Sequence, residues 1–580
     1  MPSDWIYPQI FSTTPDSGSA RAYLSNSDTK KLAEFFEAKG LKSLKQEDER
    51  QQWYDDWVTY QASHRLYFSV LAPRQTVDGG FAFDVLTYCR FLEVFGYYSP
   101  AHGYSLQVTS LGLFAVLLGA NPALKTEALA TLGQGGLMAF AVSEKEHGSD
   151  LLANDFTVRE LARSQFVGYG KKYYIGNANA ASLIAILAKK HDTRTAGASR
   201  RAVPILFALR PKQSKGIGDV RKIGTLGVRG AFVGEFEVKD HVFNERDVIA
   251  SGRDAWDAVF GAVTLGKFFL AFGSIGICEH ALAEASAHLN RRILYGKPAT
   301  TMPHLRFAMA QAYVRLTAMK LYGYRALDYL AGASATDRRY LLYCAVQKAK
   351  VSAEGVRVMA QLSQCIGAKG FEADTYFEMA LRDVQLFPGL EGSTHINLSQ
   401  TAQFISRYFD PAHLGLPNPK SLTLTREVAQ ASPYLFQART GSINTIAFSH
   451  YLASYKPLVA IPNVRLFVKQ AKAFQLLVLK LPGDVAEKNV QADLALGQCL
   501  ATIAYAQLIA ESAVCLAIPA LVVSTIFHLL VNDLTCDALS LASTGQFDAS
   551  IAQLFVRRTS LVPQTTAADW DFVATRVAAK

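Results

Sequence analysis

The feature that most constrains the fold is a change of pattern in the middle of the chain. Five short segments there are rich in β-branched and aromatic residues and are bounded by glycine, lysine or asparagine. In the last segment Phe236 and Val238 alternate with charged residues, which is the two-residue period of a half-buried strand. The pattern predicts a small β-domain between helical blocks, with strands at 155–161, 166–175, 183–188, 202–209 and 235–242.

Runs with helical spacing occupy the rest of the chain. Long runs with few internal breakers, such as 265–292 and 303–330, predict a bundle of long helices. The proline- and glycine-rich segment 410–419 cannot stay helical and predicts a linker. We therefore expect a mainly α fold with a central β-domain. Its predicted parts are an N-terminal helical domain (1–133), the β-domain (134–250), a helical bundle (251–410) and a C-terminal helical extension (411–580).

Composition narrows the class of protein. The 580 residues carry a formal net charge of +10 that is dispersed along the chain, which favours a polyanionic small ligand or an acidic surface over nucleic acid. The seven cysteines are widely spaced, so neither a disulfide framework nor a metal site is predicted. The first eight residues lack the basic and apolar parts of an export signal. Both observations predict a cytoplasmic protein.

An uncharged stretch at 513–532 is about as long as a membrane span. Pro519, Ser524 and His528 interrupt it, and a buried helix of a helical domain has the same composition. We predict the buried helix, with a membrane span or peripheral membrane contact as alternatives.

Two segments approach known nucleotide-binding motifs without matching them. The segment 261–268 fits a phosphate-binding P-loop except at Phe268, where the motif needs a metal-binding serine or threonine. The glycines at 224–230 have the wrong spacing for a dinucleotide fingerprint. Neither segment therefore predicts nucleotide binding of these kinds.

Glu391 is the candidate general base. It follows the apolar residues Leu386, Phe387 and Leu390 and precedes Gly392, whose missing Cβ would let a ligand approach the backbone. A carboxyl group removed from water has a raised pKa, as a base working near neutral pH requires. The alternative is a solvated carboxylate in a turn between helices.

Six strings lie along the chain at 140–150, 170–177, 223–238, 290–298, 364–371 and 382–393. They resemble strings of the acyl-CoA dehydrogenases, flavoproteins that desaturate acyl-CoA thioesters, and occur in that family's order. The resemblance covers roughly residues 24–407. In the last string Arg382-Asp383 precedes Glu391-Gly392-Ser393, as the family's Arg-Asp pair precedes its catalytic Glu-Gly-Thr.

The resemblance implies a site for FAD. Arg292 would pair with the FAD pyrophosphate, and Gln364 to Ala368 would receive the adenosine end of a neighbouring subunit's FAD, which predicts a homodimer. The cofactor-binding residues implied are Phe140, Val142, Ser143, Gly148, Ser149, Tyr174, Ile175, Gly176, Arg292, Tyr295, Gln364, Gly367, Ala368, Ser393 and His395.

The resemblance also implies a reaction. Glu391 would abstract the α-proton of an acyl-CoA while the β-hydride leaves to flavin N5, and an electron-transfer flavoprotein would then accept the electrons. Ser149, Lys267 and Gly392 would contact the substrate. Some family members carry the base at the position of Gly266, and a glycine there leaves Glu391 without a rival.

Departures from the family pattern leave other functions open. Lys145, Glu146 and His147 replace small residues and proline, and Pro303 stands where a glutamine usually contacts FAD. Gly176 replaces a threonine and predicts extra space near flavin N5, which would favour oxygen access and an oxidase. Because Tyr174 still supplies a covering aromatic ring, we predict a dehydrogenase. The alternatives are an acyl-CoA oxidase, a carrier-protein-linked desaturase and a non-catalytic binding protein.

Overall fold

The structure, a computed structural model, describes residues 27–72, 74–75, 81–162, 164–191, 202–410, 415–420, 430–437, 441–479 and 489–578. The N-terminal residues predicted to lack an export signal, and residues 411–414 of the predicted linker 410–419, lie outside these residues. No helix forms at 415–419, the described part of that linker.

In the part of the chain that the structure describes, six helices precede the β-domain: α1 Ser27–Glu49, α2 Asp55–Ser63, α3 Leu66–Leu71, α4 Val85–Tyr98, α5 Pro100–Leu118 and α6 Pro122–Gly133. The side chain of Asp84 caps α4 by accepting hydrogen bonds from two main-chain N–H groups, and Asn121 caps α6 in the same way. Every residue of α5 is buried, which makes this helix the centre of the molecule.

The β-domain is an eight-stranded mixed sheet with the order β10-β7-β6-β4-β5-β9-β8, in which β3 also pairs with β6. Its strands are β3 Leu137–Ala141, β4 Thr157–Ala162, β5 Gln165–Gly176, β6 Ala181–His191, β7 Val203–Leu209, β8 Arg221–Lys222, β9 Val233–Asn244 and β10 Val248–Ser251. All five predicted segments overlap strands. The pairs β3–β6 and β4–β6 are parallel and the others are antiparallel. Two further two-stranded pairs are β1 Arg74–Gln75 with β2 Phe81–Ala82, and β11 Ile293–Leu294 with β12 Lys297–Pro298.

The bundle follows the sheet and confirms the prediction of long helices. Its central element, α7, runs without interruption from Arg253 to Arg291. A π-helical turn at Gln347–Val351 joins α9 to α10. The other helices are α8 Pro303–Ala331, α9 Tyr340–Val346, α10 Ser352–Cys365, α11 Tyr376–Asp383, α12 Leu386–Gly389, α13 Thr394–Ala402 and α14 Ile405–Phe409.

The remaining helices form the C-terminal extension: α15 Tyr451–Tyr455, α16 Pro462–Val478, α17 Val490–Cys515, α18 Ala520–Ala542, α19 Ala549–Thr559 and α20 Ala567–Ala578. The uncharged stretch at 513–532 is not one helix, because α17 ends at Cys515 and α18 begins at Ala520. In length and composition α5, α7, α17 and α18 each match a membrane span, but between 61% and 100% of the residues in their apolar windows are buried inside the protein.

Two adjacent residues of α11 join the bundle to the other parts. Asp383 accepts a hydrogen bond from the main-chain N–H of Val228 at 2.6 Å, and Arg382 pairs with Asp48 of α1 at 2.6 Å. A Cβ at Gly227 would lie 2.6 Å from the Arg382 carbonyl oxygen, so only glycine allows this approach. The Arg382-Asp383 string therefore fixes the segment before Glu391 against the β-domain.

Candidate active site

A strained turn places Glu391 between two helices. The short helix α12 ends at Gly389, and α13 begins at Thr394. Between them Glu391 and Gly392 both have left-handed backbone conformations, with φ of 55° and 89°. For a residue other than glycine this conformation costs about 1–3 kcal/mol, so the surrounding packing must hold it. The turn directs the Glu391 carboxylate towards α5 and α7.

The Glu391 carboxylate is buried and has one hydrogen-bond donor among the described residues. Nε2 of Gln107 on α5 donates to Oε1 of Glu391 at 2.8 Å and also to the main-chain oxygen of Gly266 at 2.9 Å. Oε2 of Glu391 is buried, and no residue that the structure describes bonds to it. Burial raises the pKa of Glu391 to about 7, while the Gln107 hydrogen bond and the charges of Lys348 and Lys267 oppose the increase. The carboxylate can therefore take up a proton near neutral pH.

Gly266 makes room for this carboxylate. A Cβ at position 266 would lie 2.4 Å from Oε2 of Glu391 and 2.4 Å from Leu111 on α5. The glycine that removes the rival base in the sequence is therefore also the surface against which Glu391 packs.

Two buried lysines act on Glu391 electrostatically. Nζ of Lys267 on α7 donates a hydrogen bond to Gln400 of α13, and Nζ of Lys348 in the π-helical turn donates to the main-chain oxygen of Phe387. Burial lowers the pKa of Lys267 to about 8 and that of Lys348 to about 7, and the charge of Glu391 opposes both decreases.

A small, open cleft adjoins the base. Gln107 belongs to its wall, which places one end of the cleft beside Glu391. The wall is mainly apolar, so the cleft suits a hydrocarbon group better than a charged one. Its lining residues are Leu92, Phe95, Gly96, Pro100, Gly103, Tyr104, Gln107, Leu270, Gly273, Leu386 and Phe387.

The segments at 140–149 and 174–176, both predicted to hold the flavin, lie together, because Tyr173, the residue before the second segment, bonds to Ser143 in the first. Tyr173 donates its main-chain N–H to the Ser143 carbonyl at 3.1 Å, and Oγ of Ser143 donates to the Tyr173 carbonyl at 2.7 Å. Tyr174 has a left-handed backbone, with φ of 62°, and is 57% exposed. The β-domain therefore presents an aromatic ring beside a serine, an arrangement that fits a planar cofactor.

A buried ion pair supports this segment from behind. Nζ of Lys172 lies 2.9 Å from Glu144, whose carboxylate also accepts hydrogen bonds from the main-chain N–H groups of Asp155 and Phe156. The departures from the family pattern lie outside this pair: Lys145 and Glu146 are exposed, and His147 pairs with Asp150 at 2.8 Å. The segment at 140–149 therefore keeps the support of the Lys172–Glu144 pair.

Gly176 does not open space, contrary to the sequence-based expectation. A Cβ at position 176 would lie 2.5 Å from Val108 and 2.7 Å from the ring of Tyr104, both on α5. The glycine permits close contact between β5 and α5, so the argument for oxygen access at this position is wrong. Burial raises the pKa of Tyr104, and the negative charge of Glu391 raises it further. Tyr104 therefore connects the predicted flavin segment to the base.

The predicted pyrophosphate and adenosine residues lie elsewhere: Arg292 directly follows α7, Gln364 lies in the last turn of α10, and Gly367 and Ala368 come just after that helix. Arg292, Gln364, Gly367 and Ala368 are exposed, and Tyr295 is 96% exposed. Burial lowers the pKa of His288, and the positive charges of Arg292, Arg291 and Lys369 lower it further. These three cations therefore lie near one another, which fits a pyrophosphate.

The other predicted site residues are divided between interior and surface. Phe140 and Ile175 are buried, Val142, Gly392 and Ser393 are half-buried, and Gly148, Ser149 and His395 are exposed. Their roles stay predictions. Sequence reasoning missed Tyr104, Gln107 and Lys348. The sequence carried no local signal for them, because their proximity to Glu391 depends on how α5 and the π-helical turn pack.

Family profiles match the two parts of the chain that build this site. The profile described as the acyl-CoA dehydrogenase middle domain matches residues 139–241, and the one described as the acyl-CoA dehydrogenase C-terminal domain matches residues 254–406. The order of the two matches is the order of the β-domain and the bundle.

Residues 139–241 and 254–406 therefore carry two domains of the acyl-CoA dehydrogenase family. A cyclohex-1-ene-1-carbonyl-CoA dehydrogenase from Syntrophus aciditrophicus is 24% identical over 338 residues, which cover 58% of this chain and 79% of that relative. The prediction of family membership is therefore confirmed, and this is a family of FAD-dependent oxidoreductases.

Solved structures of the family show the same fold. An acyl-CoA dehydrogenase from Bacillus anthracis, solved with FAD, aligns with a TM-score of 0.74 at 17% identity and covers 99% of this chain and 97% of its own. The butyryl-CoA dehydrogenase of Megasphaera elsdenii aligns with a TM-score of 0.60 at 20% identity and covers 68% of this chain and 100% of its own. The first likeness includes the C-terminal extension, and the second leaves about a third of the chain uncovered. The predicted fold class is confirmed.

Proposed function

We propose that the protein is an FAD-dependent acyl-CoA dehydrogenase in which Glu391 removes the α-proton of an acyl-CoA thioester. The observation that carries this proposal is the state of the Glu391 carboxylate. It is buried, Gln107 donates a hydrogen bond to its Oε1, its Oε2 has no hydrogen-bond partner in the described part of the chain, and burial raises its pKa to about 7. A carboxylate in this state can accept a proton without first giving up a hydrogen bond at Oε2.

The apolar cleft beside the base supports an acyl substrate. Its wall includes Phe95, Tyr104 and Phe387, and Gln107 joins it to Glu391. An acyl chain in this cleft would place its α-carbon near Oε2 of Glu391. Proton transfer to Oε2 would neutralise the carboxylate, and the electron pair of the broken C–H bond would form the α,β double bond.

The residues of the two predicted cofactor segments fit FAD. Ser143 and the exposed ring of Tyr174 would hold the isoalloxazine, and Arg292 with its neighbouring cations would bind the pyrophosphate. When bound, FAD supplies the acceptor for the β-hydrogen and its two electrons. Because Gln364, Gly367 and Ala368 are exposed rather than packed in the interior, they are free to meet a second subunit, which supports a homodimer.

The first experiment asks whether the purified protein binds FAD and whether an acyl-CoA reduces it. We expect one FAD per chain and anaerobic bleaching of the flavin absorbance by at least one member of an acyl-CoA panel. Glu391→Gln should keep FAD and lose bleaching, because the amide cannot accept the α-proton. Protein that takes up no added FAD would contradict both the dehydrogenase and the oxidase functions.

A second experiment identifies the electron acceptor. We propose an electron-transfer flavoprotein as the partner, supported by the close packing of Gly176 on α5, which removes the argument for an oxygen path at that position. The substrate-reduced enzyme is exposed to air and hydrogen peroxide is assayed. Little peroxide within one turnover is expected, and stoichiometric peroxide would indicate an oxidase.

A further inference from the structure

Lys348 occupies an unusual place in the bundle. It lies in the π-helical turn Gln347–Val351, between two α-helical segments, and is fully buried. A π-helical turn within an α-helix is rare and frequently marks a functional site. Oγ of Ser352, one turn further along, donates a hydrogen bond to the main-chain oxygen of Lys348. This contact gives the main-chain carbonyl group of Lys348 a hydrogen-bond donor within the irregular turn.

The ammonium group of Lys348 reaches the segment that carries the base. Nζ donates a hydrogen bond to the main-chain oxygen of Phe387 in α12, four residues before Glu391. Glu391 itself has the strained left-handed conformation described above. A donor that holds α12 at Phe387 limits how far this turn can relax.

The buried charge of Lys348 needs an anion. Burying an unpaired ammonium group costs several kcal/mol, and Phe387 offers only a neutral carbonyl. Among the described residues, the one negative group that acts on Lys348 is Glu391. Two other buried lysines of the bundle have carboxylates at ion-pair distance: Lys350 lies 3.3 Å from Asp533, and Lys320 contacts Glu279. Lys348 therefore differs from these structural lysines: among the described residues no carboxylate lies at ion-pair distance from it, and the negative charge that acts on it is that of the candidate base.

We propose that Lys348 is a positioning residue for Glu391: its ammonium group holds the α12 turn and supplies a buried positive charge that keeps the base ionised. The proposal rests on the proposed function of Glu391 as the base. Without the Lys348 ammonium group, α12 would lose the hydrogen bond at Phe387, and the Glu391 carboxylate would retain a proton to higher pH.

The other groups that face Glu391 act with known signs. Lys267 on α7 is the second positive charge that favours the ionised carboxylate. Tyr88 on α4 and Tyr104 on α5 have pKa values raised by burial, so they stay neutral near pH 7. Cys344 on α9 acts on Lys267 rather than on Glu391, and burial raises the pKa of its thiol to about 12. Among the described residues, Lys348 and Lys267 are therefore the groups whose positive charge favours the ionised carboxylate. Because their own pKa values are about 7 and about 8, this charge is fully present only below those values.

The test compares variants that remove the charge with variants that keep it. Lys348→Met removes the charge and the donor, Lys348→Gln removes only the charge, and Lys348→Arg keeps both. Lys350→Met is the matched control, because it changes a lysine of the same π-helical turn while Arg315 and Arg357 still pair with Asp533 and Glu354. Each variant is purified as the FAD-loaded protein.

The readout is the pH at which Glu391 is half protonated. Infrared difference spectra during pH titration report the carboxyl group, identified by its loss in Glu391→Gln, and need no turnover. We expect the midpoint to rise by about 1–3 pH units in Lys348→Met and Lys348→Gln, and to stay near the wild-type value in Lys348→Arg and Lys350→Met. If Lys348→Met does not fold, Lys348→Gln decides the question.

Two outcomes would overturn the proposal. One is an unchanged midpoint in the Met or Gln variant that folds, which would make Lys348 a structural lysine. The other is an equal change in Lys350→Met, which would show that any perturbation of the turn moves the midpoint. The infrared signal does not depend on turnover. If no acyl-CoA of the panel reduces the flavin, the proposed function is contradicted, but the infrared midpoint still tests the role of Lys348.

Discussion

Gln107 and Glu391 are 284 positions apart in the chain, and Nε2 of Gln107 lies 2.8 Å from Oε1 of Glu391. This hydrogen bond fixes one carboxylate oxygen on α5 and leaves the other facing α7. It also favours the ionised form of the base, against the effect of burial. The hydrogen bond joins α5, which precedes the β-domain, to the turn between α12 and α13, which follows it. The site therefore needs both parts of the chain.

The first prediction concerns this hydrogen bond. Gln107→Leu should raise the pKa of Glu391 by about one unit, because the ionised carboxylate loses its donor. The acid limb of the rate of substrate-dependent flavin bleaching should therefore move to higher pH. Tyr88→Phe is the control, since it removes a 3.3 Å contact with Oε1 of Gln107 and a 2.7 Å hydrogen bond to Ser110 but leaves Nε2 of Gln107 able to donate to Glu391. Equal pH profiles for wild type and Gln107→Leu would show that the bond has no effect on the base.

The second prediction concerns stability. The pKa of Glu391 is about 7 in the folded protein, against about 4.3 in an unfolded chain. Between these values the unfolded chain releases a proton that the folded protein retains, so the burial of Glu391 lowers stability as pH rises from about 4 to 7. Glu391→Gln should therefore increase the free energy of unfolding by about 1–3 kcal/mol at pH 8. Denaturant titrations at pH 8 and pH 4 test this, and a difference that does not shrink at pH 4 would contradict it.

The third prediction concerns Gly266. Gly266→Ala would place a methyl group 2.4 Å from Oε2 of Glu391, so the carboxylate must move. A displacement of about 1 Å at a reacting group can cost about a hundredfold in rate, and we expect a loss of that order in flavin bleaching with FAD content unchanged. Gly261→Ala, on the same helix, meets only the side chain of Leu118 and is the matched control. Wild-type bleaching in Gly266→Ala would mean that Glu391 does not work from this position.

The fourth prediction gives the C-terminal extension a role at the site. A Cβ at Gly497 of α17 would lie 2.1 Å from the Leu398 carbonyl oxygen in α13, the helix that also carries Gln400, the partner of Lys267. Ser399 of α13 bonds to Asp493 of α17 at 2.8 Å. Gly497→Ala should destabilise the protein by about 1–3 kcal/mol and slow bleaching, because it pushes α13 away from α17. Thermal unfolding and single-turnover bleaching check both effects, and a destabilised variant with an unchanged rate would confine α17 to a structural role.

Part of this site can be predicted from local sequence. Glu391 stands next to Gly392 after an apolar run, and Arg382-Asp383 precedes it at a short interval, so the residues and the spacing are all contiguous. The strands at 166–175 and 235–242 were accessible for the same reason, because a two-residue alternation is a local pattern. The short strands β8 and β10 were missed, since pairing with a neighbouring strand rather than their own pattern defines them.

Sequence by itself determined the order of helical and β parts, the family, and the identity of the candidate base, because each depends on residues close together in the chain. Tertiary structure alone decided the surroundings of that base. Gln107 bonds to Glu391, and the charge of Lys348 acts on it, only after α5 and the π-helical turn pack around the base. The space beside Gly176 is occupied by side chains of α5. Burial raises the pKa of a carboxyl group and packing supplies its partners. Both are long-range properties that no window of sequence contains.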